Sequence, residues 1–268
     1  VTFRDHRDRG VDVPAPPGPD DTPFYVPIGQ FQAELYRRNA FAAHTRAEVE
    51  ALVARTGLRA GHRVVDVGCG DGRHLRALAA QGVHGVGVDV SPALVAAARD
   101  AADRERDGWP PDTRLDVVVG DARRLREVDG LPLGRADVAW TLCQGAFGTH
   151  PATDRDVLAG VADCVRPGGV VVVTAFHALF AVRHLVEGDA FDPVRLVHHQ
   201  VSEVRGPDDA RAHFDLWTAA YTVPGLVGLA EDVGLDVLGV DGAEPGRYDA
   251  RGVRLDDPEL LLVGRRVR

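Results

Sequence analysis

Three aspartates and a run of alternating glycines carry the most specific chemistry in this sequence. Asp66 lies within the apolar run Val64-Val65-Asp66-Val67, and Gly68, Gly70 and Gly72 follow at alternate positions. Asp89 ends a second apolar run, and Asp121 stands in Gly120-Asp121-Ala122 after a third. Glycine permits positive φ and lets a ligand approach the backbone without meeting a Cβ. The helix that begins just beyond the glycines offers unpaired N–H groups to that ligand. An acid at the end of a second strand can accept hydrogen bonds from both ribose hydroxyls of a nucleoside. These residues therefore describe a nucleoside site at the carboxyl edge of an open α/β sheet. The glycine spacing is not the G-x-G-x-x-G of dinucleotide enzymes, although the loop and Asp89 by themselves leave a nicotinamide-dependent oxidoreductase open.

The full set Asp66, Gly68, Gly70 and Gly72 resembles the first motif, D/E-x-G-x-G-x-G, of the class I S-adenosylmethionine-dependent methyltransferases. Asp89-Val90-Ser91-Pro92 and Gly120-Asp121-Ala122 resemble its continuation in order, as does Arg166-Pro167-Gly168-Gly169, a turn ahead of a fifth strand. The resemblance runs from about Thr45 to the C-terminus. It implies an α/β, Rossmann-like, seven-stranded doubly wound sheet with the last strand antiparallel, N-terminal helices and an inserted β-hairpin lid. The implied cofactor is S-adenosylmethionine, bound by Asp66, Gly68, Cys69, Gly70, Gly72, Asp89, Val90, Asp121 and Ala122. Within that set, Asp121 is expected to accept from the adenine amino group. The loop after the fourth strand faces the transferable methyl in this family, which brings in Cys143 and Gln144. That loop lacks the D/N-P-P-Y/F/W tetrad of DNA and protein-amide enzymes, so a small-molecule acceptor is implied, its acceptor atom (O, N or C) undetermined. The implied reaction is an in-line displacement for which the protein mainly aligns the reactants.

Other candidates are less specific. His150 and His177 follow the fourth and fifth strands, and an imidazole titrates near neutrality, so either suits a general base. Each suits a satisfied structural histidine equally. In small-molecule members of the resembled family, N-terminal helices cover the cofactor, which makes Tyr36, His44 and Arg46 candidates for its carboxylate or for substrate. His198 and His199 with His177 have no carboxylate at ligand spacing, and no metal site is expected. Cys69, Cys143 and Cys164 form no C-x-x-C pair and suit a reducing compartment.

Several elements must position these groups. Residues 1–23 are charged and then proline-rich, an extended arm. Residues 24–60 read as a helical cap of two helices broken near 41–44, with Thr45 and Glu48 spaced as a capping box. The remaining 61–268 form the cofactor-binding domain. Within it, 190–222 form inserted roof strands, Val194–Val204 and Ala212–Thr222. Phe214, Trp217 and Tyr221 there suit either an apolar substrate or the core. The chain has 268 residues with 45% apolar and 26% charged content, ordinary for one globular body. A net charge of −9 disfavours general attraction to nucleic acid. No apolar run approaches membrane-spanning length and the N-terminal residues lack signal-peptide features, so a cytoplasmic protein is expected. A homodimer stays open. So does a member of the fold that binds S-adenosylmethionine for another reaction or as a sensor.

Overall fold

Apolar alternation in the strands sorts their side chains onto two faces, and that division builds the molecule. The computed structural model describes residues 14–18, 20–32, 44–143 and 145–267. Strands β1 (Arg63–Val67), β2 (His84–Asp89), β3 (Leu115–Val119), β4 (Ala136–Thr141) and β5 (Val165–His177) run parallel in the order β3-β2-β1-β4-β5. Strand β10 (Glu259–Arg266) pairs antiparallel with β5 and with β9 (Leu235–Ala243), completing the seven-stranded sheet with its last strand antiparallel.

Helices α2 (Thr45–Thr56), α3 (Arg73–Ala79) and α4 (Pro92–Glu105) cover one face, where Val49, Leu52, Leu75, Leu78 and Val95 pack with Val64, Val138, Val172 and Leu261. Helices α5 (Asp154–Cys164) and α6 (Val223–Asp232) cover the other, where Val157, Leu158 and Leu226 pack with Val65, Ala139, Val171 and Leu260. Neighbours in β10 thus take opposite cores, as a period of two demands for a sheet buried on both sides. All parallel strands point their carboxyl ends at one edge, where the glycine loop and the three aspartates meet.

Helix α4 begins as its sequence predicts: Ser91 Oγ accepts from Leu94 N at 3.4 Å and Pro92 takes the first turn. Helix α2 does not. Its N-cap is His44, with no side-chain cap bond, and Glu48 turns inward instead of back to Thr45. A buried arginine and histidine compete for that carboxylate and win. The Arg166–Gly169 segment also differs from a simple turn between α5 and β5. Ala136 pairs with Val165 and Val138 with Val170, so the four residues bulge out of the ladder. Gly168 supplies the positive φ of +75° that the bulge requires.

The insert is three-stranded, one more strand than the expected pair. Strands β6 (Ala190–Asp192), β7 (Val197–Arg205) and β8 (Arg211–Tyr221) form an antiparallel sheet that grows from the carboxyl end of β5 through Phe176–Ala220 and His177–Tyr221. Its aromatic side chains pack on rings within the insert and on the body. Phe214 meets Phe31 of α1 (Tyr25–Gln32), Trp217 meets His199, and Tyr221 stacks on Phe147. The stretch before α1 lies against the body. Trp217 Nε1 donates to the Pro14 carbonyl at 3.3 Å, Arg123 to the Asp21 carbonyl at 2.9 Å, and Arg124 to Asp20 at 2.8 Å. Among the described residues no helix is long and apolar enough to cross a membrane.

Candidate functional site

The glycine loop leaves β1 and is fixed to β2, where Gly68 N and Cys69 N both donate to the Val88 carbonyl, at 2.8 and 3.0 Å. Gly68, Gly70 and Gly72 all take positive φ, at +77°, +54° and +71°. A Cβ on Gly68 would fall 2.3 Å from the Gly145 carbonyl carbon, and one on Gly145 would fall 2.2 Å from the Gly68 oxygen. The loops after β1 and β4 therefore touch backbone to backbone. Between and around them lies a cavity of about 250 Å³, bounded by Asp66, Gly68, Cys69, Gly70, Asp71, Arg73, His74, Leu142, Cys143, Gly145, Tyr25, Pro245 and Glu259.

Asp66 is 2% exposed and borders this cavity, and its Oδ2 has no hydrogen-bond partner. Burial pushes its carboxyl above the ordinary value. A buried carboxylate oxygen left unsatisfied at a cavity wall suits a cationic ligand group. Asp89 is also buried, and its Oδ2 accepts from Gly70 N at 2.8 Å and Oδ1 from Ser91 N at 2.9 Å. Burial raises its carboxyl to about 6 against those two bonds.

Behind the cavity wall lies a buried ionic cluster that the sequence does not announce. Glu48 is fully buried and pairs with Arg73; its Oε2 also meets His74 Nε2 at 2.9 Å, and its Oε1 accepts from Gly246 N at 2.9 Å. Burial acts to raise the Glu48 carboxyl, but His74 and Arg73 outweigh it and hold it at about 2. Arg73 also donates to Thr45 Oγ1 at 2.9 Å and to Cys143 Sγ at 3.4 Å. Cys143 turns the chain with a φ of +51°, and its Sγ shares a hydrogen bond with Tyr248 OH at 2.9 Å. Burial and the Glu259 carboxylate push its thiol up to about 12, so it is protonated and no nucleophile.

A second, smaller cavity of about 30 Å³ adjoins the first, and Tyr25, Gly68 and Gly145 border both. Asp89, Val90, Asp121, Ala122, Arg123, His150 and Pro23 line it with Val88, Gly120, Ala146, Thr149 and Val157. Asp121 faces Arg123: both carboxylate oxygens accept from its Nε at 2.9 Å, and Oδ2 accepts from Nη2 at 2.6 Å. Burial acts to raise the Asp121 carboxyl, but the Arg123 bonds hold it below the ordinary value.

The structure thus gathers Asp66, Gly68, Cys69, Gly70, Asp89, Val90, Asp121, Ala122 and Cys143 around two joined cavities. Gly72 sits beneath them as the cap of α3. His150 lies in the smaller cavity, beside Asp121 rather than near Cys143. His177 borders neither cavity; it is 2% exposed and its ring Nδ1 lies 3.0 Å from the Asp257 carbonyl. Tyr36 and Gln144 lie outside the described residues. His44 is exposed, and Arg46 pairs with Glu50 at the surface. Tyr25, Glu48, Pro245, Tyr248 and Glu259 join the site without a spacing signal, whereas Arg73-His74 directly follow the glycine loop and could have been read from that position.

Comparison with known proteins agrees with this geometry. Residues 64–169 match the family model described as a methyltransferase domain. A trans-aconitate 2-methyltransferase of Mycobacterium tuberculosis is 40% identical over 89 residues, 31% of this chain and 34% of that protein, so the chain spans about a third of the length of the curated relatives it matches. The CcbJ methyltransferase from Streptomyces caelestis superposes with a TM-score of 0.70 at 18% identity, covering 90% of this chain and 98% of that one. An S-adenosylmethionine-dependent methyltransferase from Clostridium acetobutylicum gives 0.63 at 12% identity, covering 88% and 96%. Residues 64–169 thus match the methyltransferase domain family model, and the chain as a whole shares the fold of these solved structures.

Proposed function

We propose that this chain is an S-adenosylmethionine-dependent methyltransferase acting on a small-molecule acceptor. The carrying observation is Asp66. It is a buried carboxylate on the wall of a cavity at the carboxyl edge, where the loops after β1 and β4 touch at Gly68 and Gly145. The amino-acid end of the cofactor brings an ammonium that satisfies such a carboxylate. Asp89 takes the ribose, and the smaller cavity takes the base. When bound, the cofactor supplies a methyl group already activated by its sulfonium. The chain's own work is to hold that end against Asp66, to exclude water with Tyr25, and to present the acceptor beside Cys143 and Pro245.

The ionic character of the larger cavity narrows the acceptor. Of the acids that border it, Asp66 faces the cofactor's ammonium in this reading and Asp71 pairs with Arg76 at 3.6 Å, while Glu259 stands across from Arg73 and His74, with Glu48 already neutralising Arg73. Such a wall favours an uncharged or cationic acceptor and repels a polycarboxylate. Trans-aconitate, named in the relatives, is therefore not the acceptor proposed here. No proton-transfer role is assigned to His177, whose ring is engaged away from both cavities.

Methyl-labelled S-adenosylmethionine, incubated with a panel of amines, alcohols and polycarboxylates including trans-aconitate, tests this reading. Label is expected in an amine or hydroxyl acceptor, and Asp66→Asn is expected to reduce that transfer at least about tenfold, as loss of one charge-assisted hydrogen bond implies. Label confined to a polycarboxylate would overturn the acceptor class. Cofactor binding without transfer to any acceptor would favour a binding or sensing role on the same fold.

A further inference from the structure

The two cavities meet at a seam, and one side chain stands on it. Among the described residues, Tyr25, Gly68 and Gly145 alone border both cavities, and two of the three are glycines. Gly68 and Gly145 close the seam from one side, where their backbones touch. Tyr25 therefore brings the side-chain chemistry that this point has.

A fixed helix delivers it. Tyr25 opens α1, and that helix is wedged between the start of α4 and the insert. A Cβ on Gly29 would fall 2.4 Å from Ser91 Oγ, so the α1 backbone lies directly on the cap of α4. Ile28 is buried, Phe31 meets Phe214, and Gln32 Nε2 donates to the Arg205 carbonyl at 3.4 Å. Tyr25 itself is half-buried, and its hydroxyl makes no hydrogen bond to a described residue. Burial first, then Cys143, Asp89 and Glu259, push that hydroxyl above its ordinary value. It is therefore protonated at pH 7, with a donor and lone pairs to offer. Those three groups come from the loop after β4, the end of β2 and the start of β10, and they line the cavities on either side of the seam.

In the cofactor reading above, Asp89 meets the ribose in the smaller cavity and Asp66 meets the ammonium beside the larger one. The sulfonium joins those two parts of the cofactor covalently, so its methyl belongs at the seam. We propose that the Tyr25 hydroxyl oxygen faces the transferable methyl and holds the acceptor's N–H or O–H in line with it. The hydroxyl moves no proton; it fixes the direction from which the acceptor's lone pair approaches. The inference rests on that cofactor reading and adds to it a catalytic residue at the reacting point.

Sinefungin tests this placement without an acceptor. It keeps the base, ribose and amino-acid end of the cofactor but carries an ammonium in place of the methyl, which puts an N–H donor at the proposed point. Wild type and Tyr25→Phe are titrated calorimetrically with sinefungin and with S-adenosylhomocysteine, and folding is checked by thermal melting. The variant keeps the ring and removes a hydroxyl that holds no internal bond, so its melting temperature is expected to match wild type. Its sinefungin affinity is expected to fall about tenfold or more, the scale of a hydrogen bond from a charged donor, while its S-adenosylhomocysteine affinity stays within about twofold. Equal losses for both ligands would make Tyr25 a cover over the site and nothing more, and unchanged affinities would place its hydroxyl elsewhere; either result overturns the inference. A wild type that binds neither ligand would overturn the cofactor reading and this inference with it.

Discussion

Asp89 shows how one residue's surroundings set a measurable property of the site. Burial lifts its carboxyl to about 6, against an unfolded value of 3.8, despite two backbone N–H donors. In the unliganded chain the folded state therefore holds a proton that the unfolded state releases. The associated stability is full below pH 3.8 and is lost as pH rises through 6, at about 1.4 kcal/mol per pH unit within that window. In the proposed complex the ribose hydroxyls donate to the ionised form, so ligand binding is expected to pull the other way. Affinity for S-adenosylhomocysteine is expected to rise from pH 5 to about 7 and then level off, with proton release on binding below pH 7. Calorimetry in buffers of different ionisation enthalpy reads both effects. A flat affinity across that range would remove Asp89 from the ribose contact. At this scale the sequence is a good guide where a residue's role depends on its immediate neighbours in the chain, as for Gly68, Gly70 and Asp89. It is a poor guide for Glu48: its helical position reads as a capping box, while its partners Arg73 and Gly246 lie 25 and 198 residues away.

Helix α5 and strand β8 illustrate coupling between elements. Asp154, at the start of α5, accepts from Gly148 N at 2.9 Å and from Tyr221 OH at 2.6 Å, and Tyr221 stacks on Phe147. One buried carboxyl thereby ties the insert to the loop after β4 that forms the floor of the site. Tyr221→Phe keeps the stacked ring and removes the hydroxyl. It is expected to destabilise the fold by about 1–3 kcal/mol, the cost of leaving a buried acid short of a donor, and to lower cofactor affinity as well. Denaturant melts and titration of the same samples check this; unchanged values in both would mean that the insert and the site are independent. The insert's strand pair was legible from its alternation. Its short third strand and its attachment through Phe176 and His177 were not, because both depend on pairing at the far end of β5. The aromatic residues of β8 suited a substrate roof and a core equally from sequence alone. In the structure Phe214 and Tyr221 pack on Phe31 and Phe147, and neither borders the described cavities.

Across the whole molecule, the doubly wound sheet was readable because each strand and its following loop repeat a local pattern, and the order of three motifs then fixes the topology. The cofactor half of the site follows, since it sits on consecutive loops of that sheet. The acceptor half does not, because Tyr25, Pro245, Tyr248 and Glu259 arrive from segments far from the motifs and meet only after the chain has folded. That asymmetry explains why the nucleoside is better defined here than the acceptor. It also places the N-terminal segment in the site, since Pro23 and Tyr25 close over the cavities from outside the sheet.

On the proposed function, these cavities hold an adenosyl sulfonium cofactor rather than a nicotinamide dinucleotide. Isothermal titration of the full chain with S-adenosylmethionine, S-adenosylhomocysteine and NAD in parallel tests it most directly. One-site binding of the two adenosyl ligands and no heat with NAD are expected. Binding of NAD without S-adenosylhomocysteine would contradict the assignment of Asp66, the glycine loop and both cavities together.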